Sequence, residues 1–322
     1  MRSWTTTRKP ARAGGVSTSS KVITSYSELD TFRQCPLKHQ LAWRQRWYKE
    51  PDEKRQRGTD WHGVMQAHYR ALQQHQTSRR QQVAEMKSAL TKARQAVEPL
   101  FYDHDTGEQS EGQALLEWMY NGYVAMWRND PEWWVDDIER TMVVPLPAVT
   151  PGIGKVMSKR YFLKVRIDLI VRNPRGQRLV VDHKSSQYLK SKFEFDIDDQ
   201  FGLYVWACRQ AGLPAFAAVH NNARTHRNQG DKNGTKPQLL SERFRREVTF
   251  RSETELWNLA LDAARAAQAM TKGRTDAVFS SPNPDMCKWK CDFVDAHLEM
   301  RRGIAPNVAM KDYGFTRRLR NG

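Results

Sequence analysis

Cysteine is scarce in this sequence, with four in 322 residues. So few thiols exclude a disulfide-stapled secreted scaffold; in a cytosolic chain they point to metal binding or buried thiols. No apolar run approaches the roughly 18 residues that a membrane helix needs, and the N-terminus carries no apolar stretch of the secretion-signal kind. A soluble, cytoplasmic protein with no membrane partner is therefore expected. A G-x4-G-K-[ST] phosphate loop is also missing, so no nucleotide-driven motor of that type is encoded. Negative charge is in deficit: 36 acidic residues stand against 52 Lys and Arg, for a net charge of +16 and a pI near 9.8. Clustered cations gain affinity by displacing counterions from phosphates, which points to a polyanionic partner. Apolar and aromatic residues, at 39% and 10% of the chain, suffice for a sizeable core in one large domain or two small ones.

The chain is organised around residues 161–186, YFLKVRIDLIVRNPRGQRLVVDHKSS. Residues 162–171 are β-branched and aromatic, 179–181 form a short apolar run, and Asn-Pro-Arg-Gly at 173–176 is turn chemistry, so the stretch reads as a hairpin. Asp168 sits between Ile167 and Leu169, and Asp182 directly follows the apolar triplet. Both occupy places where a strand normally puts something that packs. A lone Asp there often ends a strand or caps a turn. A buried carboxylate, however, is costly unless paired, and a divalent cation is the usual partner for two of them with no Arg beside either. Strand side chains alternate, so Asp182 and Lys184 share a face while His183 points the other way. An ammonium and a metal-binding carboxylate on one face suit hydrolysis of a phosphodiester.

Asp168, a strand, and then Asp182-His183-Lys184 resemble the D…(D/E)-x-K signature of the PD-(D/E)XK nuclease superfamily. Gln200-x3-Tyr204 downstream resembles the QxxxY motif of its RecB-like branch, which includes AddB-type, CRISPR-associated and many phage exonucleases. The resemblance covers roughly residues 25–300. It implies an α/β fold, a restriction-endonuclease-like core with a mixed central sheet flanked by helices, in the order helix, three strands, helix, strand, with helical extensions at both ends. It further implies a metal-dependent DNA exonuclease in which His62, Asp168, Asp182 and the His183 backbone carbonyl hold Mg2+ or Mn2+. Lys184 orients the attacking water; Gln200, Tyr204 and Arg224 position DNA. With no motor in the chain, the expected substrate is single-stranded DNA or DNA ends, or else a separate helicase or recombinase works beside it. The small size also resembles a stand-alone phage enzyme in a bacterial or infected-host cytosol.

Several segments read independently of that resemblance. Residues 1–22 are polar, basic and aperiodic, a disordered arm. Ser25-x-x-Glu28 offers a capping box ahead of an apolar face at Leu29, Phe32, Leu37 and Leu41, interrupted at Pro36. Residues 58–74 form a helix on which His62 and Tyr69 share a face and His68 does not. A helical insert at about 75–135 carries Trp118, Tyr123, Met126 and Trp127, a core stripe rather than a base-stacking one. Strand character begins at 139–149 and the last core strand is 215–219. Residues 226–240 are a polar, basic loop, 253–270 an amphipathic helix, and Cys208 a buried thiol. The resemblance implies a nuclease domain over 23–305, and the basic tail at 306–322 is expected to be mobile from 311 onward.

Cys287-x3-Cys291-x5-His297, taken with Cys35, resembles the cysteine set that holds a [4Fe–4S] cluster in some RecB-like nucleases, with one residue more in the first gap and His297 in place of the last cysteine. Three outcomes stay open: a cluster with one imidazole ligand, a Cys3His zinc site, or no metal. Two other functions are carried beside the exonuclease, a non-catalytic DNA-binding module on the same fold and an endonuclease of the restriction type.

Overall fold

A computed structural model of the chain describes residues 20–76, 79–127, 133–150, 154–227, 238–272 and 280–318. Most of the 1–22 arm, residues 151–153 and most of the 226–240 stretch lie outside the described residues.

Strand β1 (Val22–Ser25) leads into helices α1 (Tyr26–Gln34) and α2 (Pro36–His39), a π-helical turn (Gln40–Arg44) and the short strand β2 (Trp47–Tyr48). Helix α3 (Glu53–Gln74) is followed by α4 (Arg79–Val97) and α5 (Glu111–Trp127). Then come β3 (Trp134–Pro147), β4 (Met157–Arg172), β5 (Arg178–Ser186), α6 (Lys192–Asp196), α7 (Asp199–Gln210) and β6 (Ala215–Arg224). The chain continues through α8 (Leu240–Arg243), β7 (Phe244–Thr249), α9 (Glu253–Lys272), α10 (Pro284–Lys290), α11 (Val294–Arg301), α12 (Pro306–Asp312) and β8 (Thr316–Arg317).

The local rules that shape these elements are visible. Ser25 caps α1 by accepting from the Glu28 N–H, but Glu28 does not close the box. Its carboxylate instead accepts from Thr24 and meets His39 Nε2 at 3.0 Å. The hairpin turn is set by Asn173, whose side chain accepts from the Arg175 and Gln177 N–H groups, and by Gly176 at φ 79°, a left-handed conformation glycine adopts without strain. On α7, Gly202 lets Leu259 of α9 press against the helix backbone, in space a methyl would fill.

The main sheet is mixed, with β1 parallel to β4, β4 antiparallel to β3 and β5, β5 parallel to β6, and β6 antiparallel to β7. One face packs on α1, α7 and α9 through residues such as Leu163, Ile170 and Val180. The other packs on α3 and α5 through Leu169, Leu179 and Val181. Helices on both faces explain why β5 and β6 read as nearly continuous apolar runs rather than alternating ones.

Three expectations are corrected. A strand, β1, precedes the first helix, and another, β7, follows β6, so the core order is longer at both ends than helix, three strands, helix, strand. β1 is four residues long and β7 reads FRREVT, too short and too charged to show a strand period. The tail is ordered through 318: α12 packs Ala309 and Met310 into a third core with Leu41, Trp47, Phe293 and Phe315, and β8 pairs with β2. Its basic composition concealed three apolar anchors.

Candidate active site

The backbone builds the site as a fork. β4 and β5 are paired only between Leu169↔Val181 and Arg172↔Arg178. Past Val181, β5 pairs with β6 alone, while on that side β4 is otherwise paired only at 161–164, with β1. Asp168 and Asp182 are thus the first residues beyond the last paired rung, one on each arm. β4 also changes face there. Ile167 packs in the core under α7 and α9, and Leu169 in the core under α3 and α5, whereas strict alternation would put both on one side. Opposite Asp168, between the pairs Ile138↔Leu169 and Arg140↔Ile167, Glu139 adopts φ 55°, uncommon for a residue other than Gly, Asn or Asp.

Side chains from four elements close on the fork. The His183 N–H donates to Asp168 Oδ2 at 2.8 Å, and His62 Nδ1 of α3 lies 3.1 Å from the same oxygen. Lys184 Nζ is 2.9 Å from Asp182 Oδ2 and 3.2 Å from Oδ1. Only the Oδ1 contact has hydrogen-bond geometry, so Oδ2 of this residue, 2% exposed, is buried without a hydrogen bond. From α7, Gln200 Nε2 donates to Tyr204 Oη at 2.6 Å and to Asp182 Oδ1 at 3.4 Å. The Gln200–Tyr204 pair therefore faces the fork and not solvent.

Charge within the site is uneven. Burial pushes the Asp182 carboxyl up to about 6 despite Lys184, with Asp168 adding to the rise. For Asp168 burial works in the same direction, but the hydrogen bonds and charges of His62 and His183 together outweigh it and hold the carboxyl below the usual range. His62 is held above its ordinary value by Asp168 against the pull of burial. Lys184 is likewise held up by Asp182 against burial, so it stays an ammonium. Burial raises the Tyr204 phenol, helped by the field of Asp182.

Behind the fork lies a buried polar network that the sequence did not reveal. The His183 ring stacks on Tyr69 at 5.4 Å, and its Nδ1 meets Asn221 Nδ2 at 2.9 Å. Asn221 donates to Tyr123 Oη at 2.7 Å, which is 2.6 Å from Tyr69 Oη and accepts from Arg246 at 3.2 Å. The Arg246 guanidinium is packed between Trp127 at 3.9 Å and Trp133 at 3.8 Å. Burial pushes His183 down to about 3, so a neutral ring anchors the peptide whose N–H holds Asp168. The shared face of His62 and Tyr69 was the one available signal, since the rest of the network comes from α5, β6 and β7.

Among the described residues no three His, Cys, Asp or Glu side chains form a ready metal-binding group; in the fork, His62 lies on Asp168 and Lys184 on Asp182. The donor set nonetheless suits a hard divalent cation, with two carboxylates, one imidazole and a buried carboxylate oxygen without a hydrogen bond. The side chains of His62 and Lys184 are 32% and 37% exposed, so both have room to turn off the carboxylates. Arg224, at the end of β6, donates through Nε to the Gln187 carbonyl at 3.1 Å. Beyond Lys184, β5 runs into a polar cavity lined by Ser185, Ser186, Lys54, Arg57, Thr225 and His226.

The four Cys and His residues lie around a different cavity, where they too fall short of a ready metal-binding group. Cys35 ends α1, Cys287 and Cys291 lie in and at the end of α10, His297 is on α11, and all four line one small cavity. The Ser281 N–H points at Cys35 Sγ at 3.5 Å across 246 residues. Burial raises the Cys291 thiol, with Cys287 and Cys35 adding to the rise; the thiols are free. Three thiols and an imidazole around one cavity suit a thiophilic metal. Cys208 is fully buried, and burial pushes it up to about 12, as expected of a core thiol.

Two solved structures are similar to the chain at a distance. A candidate exonuclease from Eubacterium rectale shares 11% identity and a TM-score of 0.43, over 83% of this chain and 92% of its own. The protein SSO0001 shares 13% and a TM-score of 0.30, over 66% and 78%. No curated protein sequence matches. The family model of the PD-(D/E)XK nuclease superfamily matches residues 23–296, a span that takes in α3, both arms of the fork and α7, and the chain belongs to that superfamily.

Proposed function

We propose that the chain is a metal-dependent DNA exonuclease of the RecB-like, AddB-like branch. It would hydrolyse phosphodiester bonds in DNA recombination, repair or replication, as a stand-alone enzyme of phage type. The observation that carries the reading is the convergence of His62, Asp168, Asp182, Lys184 and Gln200 where β4 and β5 part. His62, Asp168, Asp182 and the His183 carbonyl would hold Mg2+ or Mn2+. When bound, the cation supplies Lewis acidity toward a phosphate oxygen and a water. Asp182 and His62 give up protons as it binds, since ligating carboxylate and imidazole must be unprotonated. Lys184 stays charged beside Asp182 and so acts as a donor, orienting the water and offsetting charge on the phosphate. Gln200, whose amide already bridges Asp182 and Tyr204, orients the substrate strand together with Tyr204. Arg224, near the Lys54–Arg57 cavity, meets the backbone farther along.

The test is degradation of end-labelled linear single- and double-stranded DNA with Mg2+ or Mn2+ by wild type, Asp182→Ala and Lys184→Ala, beside closed circular single-stranded DNA. Loss of label from linear DNA alone, abolished by both substitutions, is expected. Cutting of the circle would make the enzyme an endonuclease, and binding without cutting would make it a DNA-binding module.

Cys35, Cys287, Cys291 and His297 are proposed to hold a [4Fe–4S] cluster or zinc that ties the first helix to the last ones. Metal analysis of anaerobically purified protein, with its visible spectrum, tests this: iron with thiolate-to-iron absorption, or zinc without it, and loss of either in Cys291→Ser. Protein free of both metals would overturn it.

A further inference from the structure

Where the terminal segments meet, a second cleft opens beside the Cys/His cavity, with Lys38 and Phe293 lining both. It is lined by Trp43 of the π-helical turn, Tyr48 of β2, and the cations Lys38, Arg46, Lys49 and Arg318. Trp43 is 40% exposed although it belongs to the segment that anchors the third core. The Arg318 guanidinium sits 4.5 Å over the Tyr48 ring, leaving cation and aromatic on one surface. Arg46 holds φ 61° and its carbonyl accepts from the Arg318 N–H at 3.1 Å, so a conformation unusual for a side-chain-bearing residue is fixed by the returning tail. The acid in the cleft, Asp292, is taken by a bidentate pair with Arg55 at 2.6 and 2.8 Å, which leaves the lining strongly positive.

We propose that this cleft binds a single-stranded segment of the nucleic-acid substrate, with unpaired bases stacked on Trp43 and Tyr48 and the phosphates met by Lys49 and Arg318. Interleaved aromatic and basic side chains are what an unpaired strand requires: every base has a face to stack, and the backbone tracks the cations. A duplex keeps its bases stacked on each other and has no use for an exposed indole. Two helices lead from the active site to the cleft. Arg55 lies seven residues before His62 on α3, about 10 Å along the helix axis. On α1, Tyr26 hydrogen-bonds Asp198 beside Gln200, and Thr31 lines the cleft. A strand engaged at the fork therefore reaches the cleft with its next few nucleotides. β8 pairs with β2, and Phe315 and Arg318 on either side of it line the cleft, so the ordered tail contributes to a substrate surface.

The inference rests on the nuclease reading, and its test separates the two. A single-stranded oligonucleotide carrying photoreactive bromodeoxyuridine along its length is bound to wild-type protein in EDTA, irradiated, and the cross-linked peptide identified. Its affinity is measured for wild type, Trp43→Ala and the double variant Lys49→Glu, Arg318→Glu. The expected result is cross-linking at Trp43 or Tyr48 and a loss of affinity of about tenfold or more for each variant, the scale of one stacked base or of several phosphate contacts. Cross-links confined to other segments, with unchanged affinity in both variants, would overturn the cleft while leaving cleavage by wild type intact. A wild type that neither binds the strand nor cuts it with Mg2+ or Mn2+ overturns the nuclease reading as well. Equal competition by duplex of the same length would also overturn the single-strand assignment.

Discussion

The fork between β4 and β5 and the terminal cleft are both lined by charge, yet they are built differently. At the fork every charge has a partner within 3.2 Å and rests on a buried aromatic network. At the cleft, cations lie beside half-exposed aromatics on a small core of seven buried residues. The fork is thus preorganised, its ion pairs marking where positive charge is wanted. The cleft is a surface whose shape depends on the two ends of the chain staying together. On the proposed reading, chemistry that must hold a phosphate to within fractions of an ångström needs the first arrangement, and binding of an unpaired strand tolerates the second.

The largest expected effect lies at the fork. Lys184→Ala should lower kcat by about 10²- to 10⁴-fold with little change in melting temperature, measured by steady-state cleavage and calorimetry; a mild kinetic effect would mean that the ammonium serves only to neutralise Asp182. Next is Phe315→Ala, at a residue 3% exposed that stacks on Phe293 at 4.7 Å. A loss of about 3–5 kcal/mol is expected, and hydrogen exchange should localise it to residues 37–48 and 291–317 while 178–186 stay protected. Equal loosening of both regions would erase the contrast between them.

Acid sharpens the comparison from the other side. Burial pushes His68 and His220 down to about 3 from an ordinary 6.5. An unfolded chain takes up those protons first, so this stability is fully present above 6.5 and lost as pH falls toward 3. Each pKa unit is about 1.36 kcal/mol, which makes the loss a few kcal/mol per histidine. Asp182, pushed up to about 6 from 3.8, acts oppositely over its own narrower window. The urea midpoint should therefore be lower at pH 5 than at pH 8, and a flat profile would show that these rings do find protons in the fold.

Smaller again is Tyr123→Phe, which removes the hydroxyl shared by Tyr69, Asn221 and Arg246. About 1–3 kcal/mol is expected because buried donors lose their acceptor, with kcat reduced only a few-fold; a change of activity without one of stability would make the network catalytic rather than supporting. Arg33→Ala, at an exposed pair with Asp199 of 2.8 Å, should cost under about 1 kcal/mol.

How much of this was legible depended on distance along the chain. Asp168, Asp182 and Lys184 were singled out because they interrupt apolar strand patterns within 17 residues, and Gln200 with Tyr204 because their spacing resembles the QxxxY motif. The buried network was not legible: Tyr69, Tyr123, Asn221 and Arg246 each look like ordinary residues of their own element. The tail misled, because KDYGFTRRLR is basic by composition and its Phe315 anchor counts only against Phe293.

The sequence by itself determined the hairpin, the helix caps, the carboxylate and lysine positions and the positive charge, because alternation, turn chemistry and composition are local properties. Only the tertiary structure decided that β4 and β5 part at the two aspartates, that Asp182 keeps an oxygen without a hydrogen bond, and that the chain ends close into a cavity and a cleft. Those outcomes depend on which neighbours each strand finds and on residues as far apart in the chain as Arg46 and Arg318 being brought together, and no local pattern encodes a partner that far away.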